Sequence, residues 1–122
     1  MNILICGDSF KSITGLNEVA LNIMKYFISK DHNVAYCNIV GDICNQSDMN
    51  KLNIDAELSN FYNGQNSQND FDIVIKEFKP HIVFSVHDPW QVDKIVFSQY
   101  RDTYKWIHYC PIEGNNYSEY LV

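Results

Sequence analysis

The chain has 122 residues, the size of one ordinary domain, since single cores are commonly built from roughly 100 to 200 residues. An apolar share of 46% with 20% charged residues is enough to fill a core and solvate a surface, which excludes disorder as a description of the whole chain. The formal net charge of −6 leaves no basic footprint for a polyanion, so nucleic acid is excluded as the expected partner.

Small phosphorylated ligands stay open, because helix N-termini and loop amides hold phosphate without net positive charge. Cys6, Cys37, Cys44 and Cys110 show no C-x-x-C pair or other zinc spacing, and no metal site is expected. Cys6 and Cys37 fall in apolar, strand-like runs, where a thiol behaves as a small buried hydrophobe. The opening Met-Asn-Ile-Leu-Ile-Cys lacks the basic and long apolar regions of a secretory signal. No apolar run approaches the ~20 residues that span a bilayer. A cytoplasmic protein with reduced thiols and no transmembrane segment is the expectation.

In chain order, Asn2 to Gly7 is a short run, apolar on both faces, that reads as a buried strand ending at a glycine. The polar loop Asp8 to Thr14 follows. From Gly15 the period changes: Leu16, Val19, Ala20, Ile23, Met24 and Phe27 recur at three- and four-residue steps, as one face of a helix requires. Asp31-His32-Asn33 breaks that helix, with His32 a surface turn residue, and Val34 to Val40 is a second strand. Strand, helix and strand within about 40 residues make a βαβ unit with a right-handed crossover. Gly41 to Gln68 is rich in Asn, Ser, Gln and Asp; a short helix and an edge strand near Ala56 to Ser59 fit it. From Asp70, the residues Phe71, Val74, Ile75 and Phe78 line one face of a helix that stops at Lys79-Pro80, since proline disfavours helical geometry before it. His81 to Val86 is a buried strand opened by His81. Asp88-Pro89 then starts a helix, with Asp88 as N-cap and Val92, Ile95, Val96 and Gln99 or Tyr100 continuing it. A last strand, Tyr104 to Tyr109, leads into the loop Cys110 to Tyr117. The alternation predicts an α/β fold: an open, mostly parallel sheet with helices on both faces and the four longer strands central.

In such sheets ligands bind beyond the carboxyl ends of the strands, where strand order reverses. Three segments are placed there. The first is Gly7-Asp8-Ser9-Phe10-Lys11-Ser12-Ile13-Thr14-Gly15, which opens the first helix; Gly15 at the helix entrance permits close backbone approach, and the free amides suit a phosphate. The same glycine also serves a tight turn. Two glycines eight apart are neither the G-x-G-x-x-G dinucleotide fingerprint nor a P-loop, which removes the usual warrant for a dehydrogenase or an NTPase. The second segment is His87-Asp88-Pro89-Trp90. His87, expected at the surface, can orient a hydroxyl or carry a proton, whereas Asp88 also has its structural task as N-cap. The third is Tyr109-Cys110-Pro111-Ile112-Glu113-Gly114, in which Glu113 beside Gly114 binds hydroxyls, caps a following helix or faces water.

Taken together, Gly7-Asp8-Ser9-Phe10 with Thr14-Gly15 entering a helix, the approach Phe78-Lys79-Pro80-His81-Ile82-Val83, Asp88-Pro89-Trp90, and Tyr109-x-Pro111-Ile112-Glu113-Gly114 resemble the N-terminal domain of family 4 glycosyltransferases. The likeness runs over nearly all of the chain and is thinnest between Gly41 and Gln68. It implies one Rossmann-like half of a retaining GT-B enzyme, which transfers a hexosyl group from a nucleotide-sugar donor to an acceptor without a cofactor. By the same resemblance Gly15 approaches the donor phosphate and His87 or Asp88 touches the sugar; Thr14, Asp8, Glu113 and Gly114 complete the expected binding set. The family's second domain, with its paired glutamates and basic residues for the donor, has no counterpart here, so the chain is expected to be an N-terminal portion that transfers sugar negligibly alone. Two other classes stay open on the residues: a non-catalytic α/β binding domain, and another sugar-nucleotide-binding enzyme of similar architecture.

Overall fold

The computed structural model describes residues 1–10, 15–43, 45, 47, 60–87 and 92–109. Its elements are β1 (Asn2–Asp8), α1 (Gly15–Ser29), β2 (Asn33–Val40), β3 (Asn60–Asn63), α2 (Gln68–Phe78), β4 (Ile82–Val86), the single turn α3 (Asp93–Val96), a 3-10 turn (Arg101–Thr103) and β5 (Lys105–Tyr109). The five strands form one all-parallel sheet in the order β3-β2-β1-β4-β5.

β1 and β2 read as unbroken apolar runs because both of their faces are covered. On one face Ile3, Ile5, Val34 and Tyr36 pack with Ala20 and Met24 of α1. On the other, Leu4, Cys6, Ala35 and Cys37 lie beneath Phe71, Val74, Ile75 and Phe78 of α2. Cys6 and Cys37 are neighbours across β1 and β2 and are both free and buried. Burial, and next the neighbouring Cys37, push the Cys6 thiol well above its ordinary value, as fits a packing role.

The ends of α2 are set locally. The side chain of Ser67 accepts from the Asp70 amide at 3.0 Å as N-cap, so the helix begins at Gln68, two residues ahead of the expected start. Lys79 caps the other end in the left-handed region, φ 55°, with its N–H on the carbonyl of Ile75 at 2.9 Å; Pro80 then prevents any further turn.

Three details differ from the sequence pattern. The buried ridge of α1 is Asn17, Ala20 and Met24, while Val19, Ile23 and Phe27 are half-buried. The reason is an open groove between α1 and the sheet: Val19, Ile23 and Phe27 face Phe84 and Tyr109 across it. Second, the strand near the C-terminus is an edge of the described sheet, not a central strand, and its residues alternate exposed and half-buried. Third, the helix expected from Asp88 through Tyr100 is one turn among the described residues, with Asp88 and Pro89 outside them. Ser98 stops it, because its hydroxyl donates to Asp72 Oδ1 at 2.6 Å and accepts from the Tyr100 amide at 3.2 Å, a local alternative to helical bonding. The short edge strand is Asn60–Asn63; residues 56–59, where it was expected, lie outside the described set.

Candidate functional site

From β1 the chain passes through α1 to β2 and β3 on one side, then returns to β4 and β5 on the other side of β1. α1, between β1 and β2, packs on one face of the sheet, and α2 and α3, which lead to β4 and β5, pack on the other, so strand order reverses between β1 and β4. A crevice at the carboxyl ends of those two strands is the general ligand position in open α/β sheets.

Asp8 ends β1 and His87 follows β4, and the two side chains meet: His87 Nε2 lies 3.2 Å from Asp8 Oδ1. A carboxylate only accepts, so the Nε2 hydrogen points at Asp8. The histidine side chain is 7% exposed and the aspartate 22%, which leaves the carboxylate as the wetter member of the pair. Since an ionised carboxylate has about four lone-pair sites, Asp8 can hold His87 and a ligand hydroxyl together.

The backbone that aims Asp8 is shaped by residues with no chemistry of their own. The β1–β2 register shifts between Gly7 and Asp8, so Gly7 opposes Asn38 and Asp8 opposes Val40. Such a bulge re-aims the side chain that follows it. Gly7 is required by space: a Cβ there would stand 2.8 Å from the Tyr36 hydroxyl oxygen and 3.2 Å from the Val86 carbonyl oxygen. The Tyr36 hydroxyl in turn donates to the Asp8 carbonyl at 2.5 Å. Beyond Asp8, the Ser9 amide donates to the Val40 carbonyl at 3.0 Å, and the Asn17 side-chain amide of α1 donates to the Ser9 carbonyl at 3.0 Å. Gly41 stands against Ser9 with φ 94°, a conformation that side chains rarely adopt.

Of the residues singled out in the sequence, the structure brings Asp8 and His87 together. Gly15 is the first residue of α1. Thr14, Asp88, Glu113 and Gly114 lie outside the described residues. The His87 amide donates to the Tyr109 carbonyl at 3.3 Å, so the end of β5 reaches the same sheet edge as the ends of β1 and β4. His87, expected at the surface, is buried, because Asp8 and the neighbouring strand end enclose it.

Sequence reasoning passed over Tyr36. A tyrosine inside a run apolar on both faces carried the available signal, since a buried phenol needs a hydrogen-bond partner. Among the described residues no group of three or more His, Cys, Asp or Glu side chains is placed to hold a metal ion, and no helix is long and apolar enough to cross a membrane. No protein-family model matches the chain, and no curated protein matches it.

Proposed function

We propose that the chain is the Rossmann-like, acceptor-side half of a GT-B glycosyltransferase similar to family 4, cytoplasmic, and that the crevice between β1 and β4 is its sugar-binding wall. The single observation that carries this reading is the Asp8–His87 pair across the reversal of strand order. In support, α1 opens at Gly15 after the loop that follows β1, a polarity that favours a diphosphate at its first turn. Asp8 accepts from a hexose hydroxyl while it holds the imidazole, and Gly15 leaves room for the phosphate. Hexosyl transfer itself needs a second wall, because donor contacts preorganised for the transition state come from both domains of such an enzyme.

The test is a titration of the 122-residue chain with uridine- and guanosine-diphosphate hexoses and with free hexosides, followed by ligand-observed NMR. Saturable binding that weakens in Asp8→Ala supports the reading. Because His87 is buried and paired, His87→Ala would leave Asp8 without its donor. His87→Gln, whose Nε2 keeps a donor for Asp8, is therefore the companion variant, with its fold checked by thermal midpoint. Binding equal to wild type in Asp8→Ala, or no binding by any nucleotide-sugar or hexoside, would remove the assignment.

A further inference from the structure

We propose that Tyr36 is a positioning residue for the crevice, acting through Asp8 on His87. Three adjacent strands contribute one link each. Tyr36 lies on β2, Asp8 closes β1, and His87 follows β4. The phenol hydroxyl donates to the Asp8 main-chain carbonyl, and the Asp8 carboxylate accepts from His87 Nε2 at 3.2 Å. The peptide of Asp8 is thus held from one side while its side chain holds the imidazole on the other.

The ring of Tyr36 has little freedom to move. It is fully buried, its centroid lies 4.7 Å from that of Phe10, and its hydroxyl fills the space that Gly7 leaves. A rigid phenol below a bulge ties the direction of Asp8 to β2. Side chains held by packing and secondary hydrogen bonds keep a binding group in its productive geometry. The consequence for His87 is a fixed ring orientation, with the Nε2 hydrogen committed to Asp8. What this geometry serves rests on the ligand reading above, but the geometry itself does not.

The experiment is ¹⁵N NMR of the His87 ring, with exchange of the Nε2 proton measured against solvent, in the wild type and in Asp8→Ala, Asp8→Asn and Tyr36→Phe. The proton is expected on Nε2 in the wild type. Its signal should be lost in Asp8→Ala and kept in Asp8→Asn, which retains an acceptor oxygen. In Tyr36→Phe its exchange should accelerate roughly threefold to tenfold, the factor carried by one net hydrogen bond, with the amide spectrum showing an intact fold. A proton on Nδ1 with none on Nε2 in the wild type overturns the proposal without any variant. Exchange at the wild-type rate in folded Tyr36→Phe overturns the role of Tyr36, and an unchanged signal in Asp8→Ala overturns the link through Asp8. The nucleotide-sugar titration is a separate measurement, so failure of the ligand reading leaves these outcomes interpretable.

Discussion

Adding one methyl group at Gly7 probes the packing that aims Asp8. The new Cβ would lie 2.8 Å from the Tyr36 hydroxyl oxygen, closer than real Cβ atoms come, and 3.2 Å from the Val86 carbonyl oxygen. The tyrosine cannot swing aside without giving up its bond to Asp8 and its contact with Phe10. Overpacking of this kind costs about 1–3 kcal/mol. Against it stands the stiffer unfolded chain of alanine, worth about 0.4–1 kcal/mol where the backbone tolerates a side chain. Gly7→Ala should therefore destabilise by about 1–2 kcal/mol. Tyr36→Phe removes the donor to a carbonyl and should cost about 1–3 kcal/mol alone. In the double variant the clash with the phenol oxygen is gone, since the ring carbon behind it stands 3.8 Å from the new Cβ, an ordinary contact, and only the Val86 carbonyl oxygen at 3.2 Å remains close. The two changes should then cost less together than their sum by about 1 kcal/mol, beyond the ~0.3–0.5 kcal/mol within which independent sites add. Urea denaturation of the four proteins, with m unchanged, measures this. Additive changes, or a stabilising Gly7→Ala, would refute the account of why β1 carries a glycine just before Asp8.

Ser98→Ala removes the hydroxyl that donates to buried Asp72 and accepts from Tyr100, and should cost about 1–3 kcal/mol by urea denaturation. Burial raises the Tyr104 phenol from its ordinary 10.0 to about 12, against the lowering influence of Arg101. A folded value above the unfolded one means that its contribution is fully present below pH 10.0 and is lost as pH rises toward about 12. Tyr104→Phe should flatten the fall of stability across that window, and an equally steep fall in the variant would contradict it. On α1, Met24→Ala should carry the full core cost of about 2–5 kcal/mol. Half-buried Ile23→Ala should cost distinctly less, and the reverse order in thermal midpoints would show the helix face misread.

The elements legible in the sequence are those whose burial is local and complete. Ile3 to Cys6 and Val34 to Ile39 are covered on both faces and leave no polar alternation to misread. The stop at Lys79-Pro80 is a covalent property of proline. What was not legible depends on neighbours far along the chain. Ile23 and Phe27 have the helical spacing of core residues, yet they overlook a groove whose other wall comes from Phe84 and Tyr109. Ser98 ends α3 through Asp72, 26 residues earlier. Asp8 and His87 were singled out separately, as loop and strand-end residues. Their pairing needed the order β1-β4, which no spacing within either motif encodes. Tyr36 escaped because its hydroxyl acts on a main-chain carbonyl 28 residues away.

The central claim is that the ligand edge is the one where Asp8 and His87 meet. Backbone amide shifts of the ¹⁵N-labelled chain, followed during titration with a nucleoside-diphosphate hexose, test it most directly. The account predicts saturable shifts at Asp8, Ser9, Gly15 and His87, with Asn2, Asn33 and His81 at the opposite ends of the strands unmoved. Shifts gathered at Asn2, Asn33 and His81, or none at the concentration where the ligand is in large excess, would contradict it.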